Sequence, residues 1–145
     1  MDRHPWMKIA LSEVGVKEVP GSGDNPRIVE YLKSTTLGKP ENQNDETPWC
    51  SAFVNWCVVQ SGLRGTNSVW ARSWLKWGRE LNEEDSIENW EGCVCVLERG
   101  VNFGHVGFLV DWDDDRVKLL GGNQDDAVSY AWFPVERVLG YRVPT

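Results

Sequence analysis

The amino-acid sequence predicts an α+β fold, in which N-terminal helices pack on a small antiparallel β-sheet or half-barrel. Two observations lead to this prediction. Apolar residues recur at helical spacing in the first half of the chain, whereas the second half consists of short apolar segments separated by turn residues. A length of 145 residues is typical of one domain, so we expect a single domain over residues 1–145.

The first two helices are predicted near the N-terminus. Residues 5–14 carry apolar side chains at helical spacing. A turn-forming segment follows at residues 20–26, where Asn25 and Pro26 are suitable as the N-cap and first residue of a second helix. Residues 33–45 are polar and contain glycine and proline, so we expect a loop there.

A third helix is predicted to begin at Cys50. From this residue, one continuous stripe of apolar and small side chains recurs at helical spacing as far as Ser61, and Gly62 ends it. A further helix is expected over residues 68–78. The residues of this helix expected to face the core are Ala71, Trp74 and Leu75.

The second half is predicted to begin with a solvated loop over residues 80–91, which contain six acidic side chains. Strands are expected after it, at residues 92–98, 105–112, 116–121, 128–132 and 138–143. Cys93 and Cys95 alternate with valines in the first of these strands. They should therefore face the same side of the sheet, as buried free thiols.

The charge balance excludes some classes of partner. The chain has 15 basic and 22 acidic residues and a net charge of −7, which argues against nucleic acid or anionic lipid as the main partner. The sequence contains no apolar run of about 18 residues and no apolar signal segment, so we expect synthesis in the cytoplasm. Four cysteines and two histidines do not form a paired zinc framework, and we expect no metal and no cofactor.

Cys50 and His105 are the residues best placed for chemistry. A thiol at a helix N-terminus has a lowered pKa, because the free amide groups there stabilise the thiolate. His105 opens an apolar strand between Gly104 and Gly107, where it can accept the thiol proton. The alternatives are a buried structural thiol and a core histidine.

A third polar group is needed to orient the imidazole. Asn123 lies eighteen residues after His105, a separation that suits the neighbouring antiparallel strand. Two glycines precede it, which suggests that the backbone passes close to another part of the chain. A turn asparagine with its own local hydrogen bond is the alternative. Other polar residues nearby are Gln124, Asp125 and Asp126.

The stretches PWCSAFVNWC, GHVGF and LGGNQ resemble the papain-like peptidoglycan hydrolases. The likeness is closest to the CHAP group (cysteine, histidine-dependent amidohydrolases/peptidases) and its NlpC-type relatives, and it covers nearly the whole chain. The resemblance implies a papain-like fold and a Cys–His–Asn site formed by Cys50, His105 and Asn123. Many members of the group have a glutamate two residues before the asparagine, where this chain has Gly121.

The resemblance also implies a substrate and a groove that binds it. The substrate would be peptidoglycan, cleaved as an N-acetylmuramoyl-L-alanine amidase or a stem-peptide endopeptidase. Some members bind calcium in an acidic loop ahead of the nucleophile, but Asn44, Asp45 and Glu46 show no calcium-loop pattern. The residues expected to bind substrate are Trp49, Ser51, Trp70, Trp74 and Gln124.

Two biological settings fit such an enzyme, and both place its action in the periplasm or on the cell wall. It could be a phage endolysin released through a holin, or an antibacterial effector injected by a secretion system and held in check by an immunity protein. Two other functions are possible for the same residues. One is a catalytically silent wall-binding module, and the other is a transferase or deamidase acting on a protein glutamine.

Overall fold

The computed structural model describes residues 4–19, 25–35, 49–101 and 103–145. Helix α1 spans Pro5–Ser12 and helix α2 spans Pro26–Lys33. The predicted cap of α2 is confirmed, because the Asn25 side chain accepts a hydrogen bond of 2.8 Å from the backbone N–H of Arg27. None of the described helices is both long and apolar enough to cross a membrane.

Helix α3 spans Cys50–Gln60 and is more deeply buried than a single apolar stripe predicts. Every residue from its start to Val58 is buried, including the polar ones. The Ser51 hydroxyl donates to the carbonyl of Ser68, and the Asn55 amide donates to the carbonyl of Ser34. These hydrogen bonds allow polar side chains to be enclosed, so α3 lies in the centre of the domain.

Two segments differ from the prediction. Residues 68–78 do not form an α-helix but contain a 3₁₀ segment, Ala71–Lys76, which still buries Ala71 and Trp74. Residues 80–91 are not only a loop, because strand β1 (Arg79–Glu80) and helix α4 (Ile87–Trp90) lie in or overlap this segment. Helix α4 is a single turn, too short to give a periodic pattern, and Trp90 anchors it by packing on the Tyr141 ring at 5.0 Å.

The predicted antiparallel sheet is confirmed. Its order in the described part of the chain is β1-β6-β2-β3-β4-β5, and all neighbouring strands are antiparallel. The remaining strands are β2 (Val94–Glu98), β3 (Gly104–Trp112), β4 (Arg116–Gln124), β5 (Ala127–Pro134) and β6 (Val138–Val143). A second 3₁₀ segment, Val135–Arg137, joins β5 to β6. The fold is therefore α+β, with helices α1, α2 and α3 on one face of the sheet and α4 on the other.

The sheet has a hydrophobic cluster on each face. One contains the buried residues of α1, α2 and α3 together with Val106 and Phe108 of β3. The other contains Leu109 and Leu119 and lies on the opposite face. Cys93 and Cys95 are buried in this second cluster as free thiols, as predicted.

The ladder between β3 and β4 does not extend to the start of β3, and the site lies at this end. Their paired register begins at Phe108 and Leu120, so the first residues of β3 pair only with β2. At the same end, a tight turn joins β4 to β5, with Asp125 and Asp126 both in left-handed backbone conformation. Two left-handed residues in succession are typical of a type I′ hairpin turn.

Candidate active site

Cys50 is the first residue of α3, and the helix N-terminus packs directly on β4. This close approach requires a glycine at position 122. A Cβ atom there would lie 2.6 Å from the Trp49 ring and 2.7 Å from Cβ of Phe53. The predicted close backbone approach at the paired glycines is thus confirmed. The Cys50 thiol is 5% exposed and lies beside His105 and Val106, near the start of β3.

His105 lies on β3, is 6% exposed, and forms a hydrogen-bonded pair with Cys50. The other side of the imidazole is held by Gln124, whose Oε1 lies 2.8 Å from Nε2 of His105. The Phe133 ring packs against the imidazole with centroids 5.2 Å apart. The imidazole is therefore fixed between the thiol and the carboxamide.

The orientation of the Gln124 carboxamide determines the tautomer of His105. Its Nε2 donates to the backbone carbonyls of Leu119, at 3.2 Å, and Ser129, at 2.7 Å. Because both amide hydrogens are used, the atom facing the imidazole is the oxygen, which can only accept a hydrogen bond. Nε2 of His105 therefore carries a proton, and Nδ1 is left to face the thiol.

Gly121 provides the space for this carboxamide. A Cβ atom at position 121 would lie 2.6 Å from Oε1 of Gln124 and 3.1 Å from its Cδ. The residue at the place where many CHAP proteins have a glutamate thus makes room for the side chain that binds His105.

The structure corrects the prediction that Asn123 orients His105. Asn123 is a bulge residue with φ of 58°, located where the β4–β5 register shifts between Gly121 and Gln124. The left-handed backbone at this position brings the next side chain, that of Gln124, to the imidazole. With one ring nitrogen bound to Gln124 and the other facing Cys50, none is left for Asn123. Gln124, which was predicted to bind substrate, forms this hydrogen bond to His105 and also lines a groove beside it.

The Cys50 and His105 pKa values shift in the directions expected of a thiolate–imidazolium pair. Burial alone would raise the pKa of the Cys50 thiol, but His105 and the backbone N–H groups of Val106 and Ser51 lower it below its ordinary value. Burial alone would lower the pKa of His105, but Cys50 and the hydrogen bond that His105 donates to Gln124 raise it. Both shifts favour transfer of the thiol proton to the imidazole.

The pKa values of the other three thiols shift in the opposite direction. Burial raises the pKa of Cys57 and Cys93 well above the ordinary value, and burial also raises the pKa of Cys95. These thiols are protonated and enclosed at neutral pH. Cys50 is thus set apart by its environment from every other cysteine in the chain.

Three residues predicted to bind substrate are structural instead. Trp49 is fully buried, and its indole N–H donates to a carboxylate oxygen of Glu18 at 2.8 Å. Trp74 is fully buried, and its indole N–H donates to the hydroxyl of Ser51 at 2.8 Å. Ser51 is itself fully buried. Large aromatic rings beside a nucleophile can serve either a core or a groove, and here the α3 packing requires them in the core.

Two grooves meet at the site. The first, which we call the Cys50 groove, has a volume of about 450 Å³. Its walls include Trp70, 56% exposed, and Phe103, 58% exposed, with ring centroids 5.8 Å apart. This position of Trp70 is consistent with the predicted role in substrate binding. Phe103 was not singled out from the sequence, where a lone aromatic in a Gly-containing turn gives no signal.

The second groove, which we call the His105 groove, has a volume of about 470 Å³. It is lined by His105, Gln124 and Asn123, and by the guanidinium-bearing residues Arg99 and Arg137. Arg99 lines both grooves. Neither arginine was predicted from the sequence, because each lies in a polar connection with no pattern around it.

No metal site is apparent in the described residues. They contain no group of three or more His, Cys, Asp and Glu side chains that could hold an ion. The segment considered for calcium, Asn44–Glu46, lies outside the described residues.

Comparison with known proteins identifies the family. The CHAP domain matches residues 42–123, more than half of the chain, and no curated protein matches it. The matched segment begins ahead of Cys50, contains His105 and ends next to Gln124. CHAP domains are typically cysteine hydrolases of the amidase or peptidase type, and the predicted papain-like α+β fold agrees with this match. The chain belongs to the CHAP domain family.

Proposed function

We propose that this protein is a cysteine hydrolase that cleaves an amide bond of bacterial peptidoglycan. Membership of the CHAP family supports a peptidoglycan-hydrolase type of activity in general. The observation that carries the specific proposal is the Cys50–His105–Gln124 arrangement, in which a thiol with a lowered pKa is paired with an imidazole of fixed tautomer. Nucleophilic catalysis by cysteine needs this combination of thiolate, base and orienting group.

In the proposed mechanism, the Cys50 thiolate attacks the carbonyl carbon of the amide bond. Backbone N–H groups at the start of α3 are available to stabilise the oxyanion. His105 then donates the Nδ1 proton to the amine nitrogen, the carbon–nitrogen bond breaks, and the acyl group stays on Cys50 as a thioester. A water molecule, deprotonated by His105, hydrolyses the thioester and restores the free enzyme.

Gln124 contributes without taking part in bond making. Its oxygen accepts the Nε2 hydrogen in both the neutral and the protonated form of His105. The imidazole can therefore accept and donate a proton at Nδ1 without rotating.

The proposal is tested by comparing Cys50→Ala with a matched variant, Cys57→Ala, on purified peptidoglycan. Cys57 lies on the same helix but is fully buried. We expect Cys50→Ala to release no soluble fragments and Cys57→Ala to retain the activity, provided that circular dichroism shows both to be folded. Release of fragments by Cys50→Ala at the wild-type rate would refute the proposed nucleophile.

Mass spectrometry of the released fragments identifies the bond. An amidase releases intact stem peptides from the sugar chain, whereas an endopeptidase leaves part of the stem on the sugar. Ammonia release from a protein substrate, with no change in peptidoglycan, would instead indicate a deamidase.

We also propose that the enzyme reaches the wall by holin-mediated or secretion-system delivery, and that an immunity protein restrains it in the second case. The exposed Trp70 and Phe103 rings beside Cys50 form a surface that such an inhibitor would cover. Co-purification with the product of a neighbouring gene, lost on Trp70→Ala, is the expected result. Inhibition that persists in Trp70→Ala would place the inhibitor elsewhere.

A further inference from the structure

The position of His105 determines which part of the substrate enters each groove, if the proposed function holds. A general acid must lie on the side of the leaving group, because it protonates the amine nitrogen as the bond breaks. His105 lines one groove and Cys50 lines the other. The amine-side fragment should therefore occupy the His105 groove, and the acyl-side fragment the Cys50 groove.

The His105 groove contains two guanidinium groups, and they differ in their hydrogen bonding. Arg137 is held in place by hydrogen bonds of 3.2 and 3.1 Å to the carbonyl of Glu98, with its guanidinium 5.4 Å from the centre of the Phe133 ring. The Arg99 guanidinium forms no hydrogen bond or ion pair with any residue that the structure describes, and it lines both grooves. One acidic residue, Asp125, lines the same groove, so the groove has an excess of positive charge.

A guanidinium close to His105 has a cost for catalysis. The Arg99 charge disfavours the imidazolium form of His105, which the bond-breaking step requires. A chain with 22 acidic residues could neutralise this arginine with one of its own carboxylates, but none of the described ones pairs with it. A ligand carboxylate would neutralise Arg99 and leave the imidazolium stabilised. Guanidinium groups are well suited to this role, because they bind carboxylates through two parallel hydrogen bonds.

We propose that the His105 groove is the subsite for the amine-side fragment of the substrate, and that Arg99 and Arg137 bind a carboxylate carried by that fragment. Stem peptides supply such groups, since the γ-linked D-glutamate and the C-terminal residue each carry a free carboxylate. This inference rests on the proposed function, and it adds a requirement for negative charge on the leaving-group side.

A binding experiment tests the inference without turnover. The probes are two synthetic stem peptides, L-Ala–γ-D-Glu–L-Lys–D-Ala, one with free carboxylates and one with both carboxylates converted to carboxamides. Calorimetric titration into Cys50→Ala at low salt should show binding of the carboxylate form roughly tenfold to a hundredfold tighter than the carboxamide form. Arg99→Gln in the same background should remove most of this preference, and Arg99→Lys should retain part of it.

A matched control separates a local effect from a change in net charge. Arg64 is exposed and lies outside both grooves, so Arg64→Gln removes the same charge and should leave the preference intact. Equal affinity for the two peptides in Cys50→Ala would overturn the inference. So would a preference that survives both Arg99→Gln and Arg137→Gln in variants that thermal unfolding shows to be folded.

The proposed function and this inference can fail separately. Peptidoglycan digestion that does not depend on Cys50 would refute the proposed mechanism, and the binding titration would still report on the arginines. Conversely, an enzyme active through Cys50 that cleaves carboxylate and carboxamide substrates with the same kcat/KM would retain the mechanism and refute the carboxylate subsite.

Discussion

The group that orients His105 in the proposed catalytic pair is an amide, and this has a chemical consequence for the site. A carboxylate at the same place would add a second negative charge beside the thiolate and would itself titrate. The Gln124 carboxamide stays neutral at every pH, and its two donated hydrogen bonds keep its oxygen directed at His105. The charged groups that shift the pKa of His105 are thus Cys50 and Arg99.

Removal of the Gln124 carboxamide should affect the alkaline side of the pH–rate profile. The imidazolium is required to protonate the leaving amine, so activity falls as pH rises through the pKa of His105. Gln124 raises this pKa, and Gln124→Ala should therefore move the alkaline limb to lower pH. Because the tautomer is no longer fixed, we expect kcat to fall by about 10²-fold.

The control for this prediction is Asn123→Gly, which keeps the left-handed bulge and removes the carboxamide that the sequence had indicated. This variant should leave the alkaline limb in place. If the alkaline limb moved in Asn123→Gly and stayed in place in Gln124→Ala, Asn123 would be the orienting residue.

The residues of the candidate site differ in how clearly the sequence indicates them. Cys50 and His105 are recognisable because a helix pattern begins at one and a glycine-flanked strand at the other. Asn123 and Gln124 are adjacent polar residues, and only the bulge decides which of them faces the imidazole. The two successive left-handed aspartates set that register, but Asp-Asp is not a strong hairpin-turn signal in a sequence.

At the scale of the elements, the contact between α3 and β4 brings the catalytic groups together. The helix supplies the thiol, and β3 and β4 supply the imidazole and the carboxamide. Gly122 lets the helix N-terminus touch the strand, and Gly121 lets the Gln124 side chain fold back. Two adjacent glycines therefore serve two different members of the site.

Gly121→Ala and Gly122→Ala should lower activity for different reasons. A Cβ at position 122 overlaps Trp49 and Phe53, which are enclosed in the core, so α3 must shift away from β4. The contact of Cys50 with His105 then weakens, and the pKa of the Cys50 thiol rises. The acidic limb of the pH–rate profile should therefore move to higher pH. We expect a loss of about 1–3 kcal/mol in the free energy of unfolding.

At position 121, the added Cβ overlaps the Gln124 carboxamide instead. Gly121→Ala should thus reproduce the alkaline-limb shift of Gln124→Ala. Urea unfolding and pH–rate profiles of the two glycine variants check these expectations. Identical pH profiles for the two would contradict the separate roles of the glycines.

Elements were predicted well where they are long and poorly where they are short. The three N-terminal helices and the antiparallel sheet follow from periodicity over eight or more residues or from repeated strands. The segment around Trp74 is 3₁₀ and buries only Ala71 and Trp74, and the Trp74 indole N–H donates a hydrogen bond to the Ser51 hydroxyl of α3. These contacts with α3 need no helical period in the sequence. The burial of α3 on all sides also exceeds what its own pattern indicates, because hydrogen bonds to other segments enclose its polar residues.

At the scale of the whole molecule, the sheet separates two hydrophobic clusters, and the four thiols are divided between them. Cys57 lies in the cluster beneath the helices, and Cys93 and Cys95 lie in the cluster on the opposite face. Cys50 lies at the edge of the first cluster, where the grooves open. The fold thus encloses three thiols in the core and places the fourth, Cys50, in the wall of a groove.

Alkylation should distinguish these thiols. With iodoacetamide at pH 6, Cys50 should be modified at least about tenfold faster than the other three, because the thiolate is the reacting species. In urea above the unfolding midpoint, all four should react at similar rates. Peptide mass spectrometry gives the site-specific rates. Slow and equal modification of all four thiols in the native protein would contradict the thiolate at Cys50 and would favour a silent binding module.

The separation of the thiols also determines how the protein responds to oxidants. Seven residues of α-helix place the Cα atoms of Cys50 and Cys57 about 10 Å apart, beyond the roughly 7 Å that a disulfide allows. Cys93 and Cys95 are enclosed on the far side of the sheet. A sulfenic acid formed at Cys50 therefore has no resolving thiol within its own chain, so its recovery depends on a small external thiol, and prolonged peroxide exposure ends in irreversible loss of the nucleophile.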